Sequence, residues 1–529
     1  MFTDARTLAD GAALEAEICV IGCGAAGLTL ARQLEGSDAR IIFLERGGFE
    51  YDEATQALYR GENAGRDYFD LDATRLRFFG GSTNHWGGRC LPFEPLDFER
   101  RAGVAHSGWP IPYSSLRRYY EIAHEVITLG AFDYDVKAQA EALEQKLLPF
   151  DSSAVRSVLT RNKPLRFGEH YRELVARSEH MNCLLWANCT GFLFDEGGEN
   201  LTAAELRTLD GKQARVSAKL FVLATGGIEN ARLLLLPNDR RPRGIGNTDD
   251  QAGRYFMEHL LYSSGLIVVN ERDESYDLYA DFLDAGADEL QATLALNPEI
   301  VRRERLANVY FELQAQRGYG FTDAFASGKH LARSFRELDW PDGFFHHIGA
   351  VLGDLDSVVD GVSDKLRGRP LLHGDAPLAF RVYNFGEQLP NPDSRVGLAE
   401  TRDPFGSPRV RLDWRITEAD LESIRRGHEI LAREVGRSGL GRMRINLDFD
   451  SEPPLPSLRG GHHHMGATRM SETPTQGVVD AHCRVHDVGN LYVAGSSVFP
   501  TSGFANPTLT IVALAARLAD RLKAELHAG

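Results

Sequence analysis

Residues 17–27 read EICVIGCGAAG, a short apolar run of β type followed at once by glycines at 22, 24 and 27. An alanine- and leucine-rich stretch through Leu34 predicts a helix, and Ala39–Leu44 predicts a second strand ending on Glu45 and Arg46. Strand, glycine turn, helix, strand and acid in that order make a dinucleotide-binding unit. Gly22 makes the tight turn, Gly24 lets a pyrophosphate approach the backbone at the helix N-terminus, and Gly27 lets helix and strand pack closely. Glu45, about twenty residues further on, is placed to accept hydrogen bonds from a ribose diol. A glycine triplet alone is weak evidence; the whole order is specific.

Working outward, three further segments suit the same kind of ligand. Phe221–Ala224 is a strand that runs into Thr225-Gly226-Gly227 and then a helix through Leu236, a second strand–glycine–helix contact. The loop LRFFGGSTNHWGG (76–88) packs Gly81, Ser82, Asn84, His85, Trp86 and Gly87 together, as expected of a segment lying against a planar group. Near the C-terminus, the strand Leu491–Ala494 leads into Gly495-Ser496-Ser497, and Asn506-Pro507-Thr508 opens an apolar helix over 509–522. Proline is common in any first helical turn, so Pro507 alone decides nothing. The helix N-terminus it opens would favour negative charge on a bound ring.

The bulk properties are those of a globular enzyme. The chain has 529 residues, 43% hydrophobic and 25% charged, enough for two or more cores. A net charge of −16 argues against nucleic acid or an anionic membrane as partner. The six cysteines form no CxxC pair, so packing is their expected role and no metal is expected. No secretory pattern opens the sequence and no apolar run approaches the ~18 residues of a membrane span, so a cytoplasmic location is expected, with export alongside a signal-bearing partner as the alternative.

There are no repeats or low-complexity linkers, and the expected organisation is interleaved. Residues 1–100, 184–259 and 456–529 form a discontinuous nucleotide-binding domain, 101–183 a connecting or lid segment, and 260–455 a substrate-side domain. Within the last, Leu261–Asn270, Ala379–Phe385, Arg395–Leu398 and Arg409–Trp414 read as strands and Glu418–Arg437 as a charged helix, with loop-rich insertions near 318–372.

Together, the fingerprint at 22–27, GGSTNHWGG (80–88), ATGGIENARLLL (224–235), NPDSRVGL (391–398) and HHHMG (462–466) with NPT (506–508) resemble the glucose–methanol–choline (GMC) oxidoreductases. The likeness is to the pyranose-oxidising and bacterial glycoside-oxidising branches in particular. It implies an α/β fold: a Rossmann-like FAD domain interleaved with an α+β substrate layer on an antiparallel sheet. It also implies FAD-dependent oxidation of a CH–OH donor, with reoxidation by oxygen, a quinone or a redox protein. In the pyranose-oxidising relatives a His-Trp at the place of His85-Trp86 tethers FAD covalently. Here Gly87 follows, and some relatives keep a similar segment without a tether, so His85 as tether and His85 as a packing residue both stand.

Flavin-dependent alcohol oxidation takes a proton from oxygen and a hydride from carbon. Histidine suits the proton because its unperturbed pKa lies near working pH. The resemblance puts the base at His463, three residues before Gly466, and Asn506 as the group that hydrogen-bonds the alcohol oxygen. Many relatives carry a second histidine at that place, whereas the pyranose branch carries asparagine, which points to a sugar. A lone histidine is more often structural, and the run 462–464 invites a metal-site reading. Consecutive residues in a strand face opposite ways, so all three would not converge on one ion. Glu387 and Gln388, just ahead of NPDSRV, are the candidate sugar contacts; Tyr383, Asn384, Trp340, His346 and His347 are further polar or aromatic residues of the same block. The expected function is oxidation of a secondary hydroxyl of a sugar or glycoside to a keto-sugar. A non-sugar alcohol oxidase or dehydrogenase, and a non-redox flavin lyase, are the alternatives.

Overall fold

The computed structural model describes residues 1–270, 276–316 and 379–528. The insertions near 318–372, with Trp340, His346 and His347, lie outside the described residues.

The stretch 17–27 builds what its pattern predicts. Ile18–Ile21 is a strand with no solvent exposure, and the helix Ala25–Leu34 follows. Near-continuous apolar runs are what a parallel strand covered on both faces requires. Six parallel strands line up as Phe2–Asp4, Met181–Leu185, Ile41–Leu44, Ile18–Ile21, Leu220–Leu223 and Leu491–Val493. The first of these is too short and polar to read as a strand in the sequence; its pairing with Met181–Leu185 makes it one. The final helix, Thr508–Ala528, packs on Ala25–Leu34 and on Ser114–Ile127, closing the core from one face. Among the described residues no helix is long and apolar enough to cross a membrane.

Two glycines leave no room for substitution. At Gly22, φ is +109°, and a Cβ would stand 2.4 Å from the carbonyl oxygen of Ala224; at Gly27 it would stand 2.0 Å from that of Gly22. Gly22→Ala therefore meets both a left-handed backbone, costing about 1–2 kcal/mol, and a backbone clash between the fingerprint turn and the turn at Ala224. The variant is expected to purify with little or no flavin and a lowered Tm. Flavin absorbance per protein and calorimetry check this; a fully loaded Gly22→Ala would refute it.

The second layer is a largely antiparallel sheet. Its main path runs Gly441–Ile445, His259–Val269, Ala379–Glu387, Val309–Gln316, Glu289–Leu296, Val155–Asn162 and Arg89–Cys90. Val155–Asn162 comes from the stretch read as a connector, and it pairs with Glu289–Leu296 along its whole length. Its two arginines hide it as a strand in the sequence, but Arg161 is buried against Asp288 at 2.9 Å. The helix Glu418–Arg437 begins on a capping box in which Thr417 and Asp420 satisfy each other's backbone N–H, and it buries Ile430, Leu431 and Val435 over this sheet. The chain is thus a mixed α/β fold in which a parallel nucleotide-binding sheet and an antiparallel sheet meet at the strand His259–Val269 and the C-terminal histidine segment.

Candidate active site

A cavity of about 530 Å³ lies where the two layers meet. Its walls include Gly22, Gly24, Glu45, Arg46, Gly81, Ser82, His85, Trp86, Gly87, Ala224, Thr225, Gly226, Gly495, Ser496, Pro507 and Thr508, together with His463 and Asn506. Gly22–Gly24, Glu45–Arg46, Ala224–Gly226 and Gly495–Ser496 are brought together because each follows the C-terminal end of a parallel strand, where the crevice of such a sheet opens. Two predicted contacts stand behind the wall. Gly27 is one turn into its helix, packed on the Gly22 carbonyl. The Asn84 amide donates to the Phe79 carbonyl oxygen at 2.8 Å, holding the shape of the loop.

The wall fits a flavin dinucleotide. A side chain at Gly24 would meet open space, which leaves the helix N-terminus clear for a pyrophosphate. Glu45 accepts N–H bonds from Cys23 and Gly47, both 3.1 Å, so its carboxylate also ties the fingerprint turn to its own strand. Burial pushes that carboxyl up from its ordinary value. Arg46 pairs with the buried Glu229 at 2.9 Å, but none of its guanidinium nitrogens has a hydrogen bond. Arg75 and Arg232 crowd the same carboxylate at 3.6 and 2.9 Å and hold it far below the usual range. Arg46 and Arg75 thus bring spare positive charge to the cavity wall, opposite in sign to a dinucleotide.

The three consecutive histidines separate. His462, at φ +59°, sets its ring edge-on to Phe69. The His464 Nε2 lies 2.9 Å from the Tyr68 hydroxyl. Only His463 turns to Asn506: its Nε2 is 3.3 Å from the Asn506 amide nitrogen, across 43 residues of chain. Its Nδ1 is 2.8 Å from Nδ1 of His259. Burial, aided by the neighbouring histidines, pushes His463 well below the ordinary imidazole pKa, so the ring is neutral near pH 7 and carries a lone pair. The Asn506 carbonyl oxygen is buried without a partner.

The site depends on residues that were not singled out in the sequence. The Glu258 carboxylate accepts the backbone N–H groups of Gly461 (3.0 Å), His463 (2.8 Å) and His259 (3.2 Å), and the Tyr68 hydroxyl. Burial pushes Glu258 up to about 7, while these donors pull against it. A Glu-His pair between Met257 and an apolar strand reads as a polar edge; that both side chains are fully buried is visible only in the fold.

Glu387 and Gln388 are corrected. Neither lines the cavity. Glu387 is fully buried against the Arg101 guanidinium and accepts the Asn308 N–H at 2.8 Å. Gln388 accepts from Trp414 Nε1 at 2.9 Å and from the Glu258 N–H at 3.0 Å, and donates to the Arg415 carbonyl at 2.7 Å. They hold the sheet together beneath the site. Among the described residues, the polar side chain that does reach the cavity from the antiparallel layer is Arg89, which bonds Gln291 and Tyr310, both at 3.2 Å, and pairs with Glu312.

Residues 390–515 match the sequence profile of the family described as GMC oxidoreductase. In this segment, and in the relatives that follow, the chain resembles the GMC oxidoreductases. The likeness supports an FAD-dependent oxidoreductase acting on alcohol- or sugar-type donors. The chain is 24% identical to a 2-methyl-1,2-propanediol dehydrogenase of Mycolicibacterium austroafricanum over 96% of this chain and 95% of the relative. It is equally 24% identical to the fructose dehydrogenase large subunit of Gluconobacter japonicus, over 98% of this chain and 99% of that one. Over 138 residues, 25% of each chain, it is 38% identical to a C-glycoside 3-oxidase of Arthrobacter globiformis. In fold it resembles the formate oxidase of Aspergillus oryzae RIB40, with a TM-score of 0.56 at 16% identity, covering 98% of this chain and 99% of that structure.

Proposed function

We propose that this enzyme oxidises a secondary hydroxyl of a sugar or glycoside to a keto-sugar, with His463 as the base and Asn506 as the hydrogen-bond donor to the alcohol oxygen. The observation that carries the reading is the facing pair, His463 Nε2 and the Asn506 amide, at 3.3 Å in the cavity wall. A hydroxyl oxygen set between them would donate its proton to His463 and accept from Asn506, whose N–H then stabilises the alkoxide character that develops. FAD, when bound, supplies the hydride acceptor. The chain's remaining task is orientation, and the antiparallel sheet presents suitable material. Among the described residues, Arg89, held by its pair with Glu312, is the side chain of that sheet that lines the cavity, and a guanidinium there suits the hydroxyls of a sugar. Asparagine at 506, and the sugar-acting names of the relatives from Gluconobacter japonicus and Arthrobacter globiformis, support the same reading.

The propanediol dehydrogenase also matches nearly the whole chain, 96% of it, and supports a small non-sugar alcohol as the second reading. Anaerobic mixing of the FAD-loaded enzyme with free sugars, glycosides and simple alcohols separates the two. Bleaching of the flavin's blue absorption by sugars or glycosides alone is the expected result; bleaching by simple alcohols alone would overturn it. Readmitting air then separates an oxygen-using oxidase from a dehydrogenase that needs a quinone or redox protein.

We further propose His85 as a covalent attachment point for FAD. It lines the cavity, in the loop that also brings Gly81, Ser82, Trp86 and Gly87 to the wall. Acid-precipitated wild type should therefore stay yellow, and His85→Ala should release its flavin on the same treatment. A colourless wild-type pellet would end the proposal.

A further inference from the structure

An imidazole with a single proton can carry it on either nitrogen, and only one of the two forms leaves His463 able to act at the cavity. We infer that His259 is a positioning residue that fixes the tautomer of His463 so that its lone pair lies on Nε2, facing Asn506. The inference rests on His463 being the base and adds what makes it one.

The argument follows the protons along a chain of three contacts. His259 Nε2 lies 3.2 Å from the carbonyl oxygen of Ser502. A carbonyl only accepts, so that nitrogen carries a hydrogen. His259 is fully buried, and burial pushes its pKa down to about 4, so near pH 7 the ring has one proton, already placed on Nε2. Its Nδ1 is therefore an acceptor. Nδ1 of His463 stands 2.8 Å from it, a hydrogen-bond distance that requires one hydrogen between the two nitrogens. That hydrogen belongs to His463 Nδ1. His463 Nε2 is left as a lone pair, and the group facing it at 3.3 Å is the amide N–H of Asn506, a donor. Donors and acceptors agree at every step. Both histidines also give their backbone N–H to the Glu258 carboxylate, which fixes their spacing independently of the rings.

The partner's chemistry has a consequence. A carboxylate in the place of His259 would orient the ring and also raise its proton affinity. A neutral imidazole orients without adding charge. The groups whose charge bears on His463 are His259, His462 and His464, all of which act to lower its pKa. When Nε2 takes the hydroxyl proton of the alcohol, the Nδ1–H bond to His259 is kept, and the resulting cation keeps its orientation.

Two measurements test this. In the FAD-loaded wild type with ¹⁵N-labelled histidine, long-range proton–nitrogen spectra should show His463 protonated on Nδ1 and bare on Nε2 near pH 7, the resonance being assigned by its loss in His463→Gln. This reading needs no substrate. In His259→Leu the two tautomers should mix, and the imidazolium that forms as the proton moves loses the acceptor that held its Nδ1–H. Anaerobic flavin reduction by methyl β-D-glucopyranoside or D-glucose should slow by roughly 10²–10⁴-fold at saturating sugar, with little change in sugar affinity. His259→Asn, whose amide oxygen can accept at the Nδ1 place, should recover much of the rate. A packing role alone would not shift the tautomer or be rescued by asparagine. A wild-type His463 protonated on Nε2, or a His259→Leu that reduces at the wild-type rate with an unchanged pH profile, would overturn the inference. If His259→Leu does not fold, the wild-type spectrum decides. Normal reduction by His463→Ala would instead remove the base assignment itself, so the two failures are distinguishable.

Discussion

His463→Ala is expected to bind FAD with an ordinary absorption spectrum and to reduce it about 10²–10⁴-fold more slowly than wild type, the usual worth of a positioned general base. The glycine turns, Glu45 and the final helix that line the cofactor wall are untouched by the change, so flavin content should hold. Since an interaction made only as the proton moves is lost, the deficit should appear in the rate at saturating substrate more than in affinity. The pH profile gives a second check with a definite sign. Burial holds His463 well below the ordinary imidazole pKa, so the neutral, proton-accepting form persists as pH falls through 6.5. Wild-type flavin reduction should stay level there and decline only at lower pH. Near-normal reduction by His463→Ala would rule the base out, and an inflection at or above 6.5 would contradict the depressed pKa.

Glu387→Ala should unfold far more easily and yet, where folded, bind sugar as wild type does. Arg101 and Glu387 are both nearly inaccessible, and the guanidinium meets the carboxylate through two nitrogens. Removing the carboxylate strands a buried positive charge and frees the Asn308 N–H, a loss of about 3–5 kcal/mol. Denaturant unfolding measures the cost, and flavin reduction against sugar concentration measures affinity. Unchanged stability with an order-of-magnitude change in affinity would return Glu387 to the substrate site.

That residue shows where linear reading stops. Its neighbours in sequence, a polar pair before a turn and a strand, look alike whether the side chains face a pocket or a buried arginine, because the partner that decides it, Arg101, lies in a different segment. Glu258 and His259 were passed over for the same reason. Two titratable residues at a strand start are ordinary when exposed and costly when buried, and burial belongs to the fold.

By contrast, the glycines at 22, 24 and 27 and the strand–glycine turns at 224–226 and 494–496 were legible because their roles are played by backbone geometry within a few residues. A turn that only glycine can make, or a four-residue apolar strand between turns, is specified locally, and so the nucleotide-binding half followed from the sequence alone. The pairing of His463 with Asn506 was legible only through family resemblance. Which nitrogen of His463 carries its proton was decided by tertiary structure, since it depends on a carbonyl at 502 and a ring at 259 that only the packed sheet brings within hydrogen-bond reach.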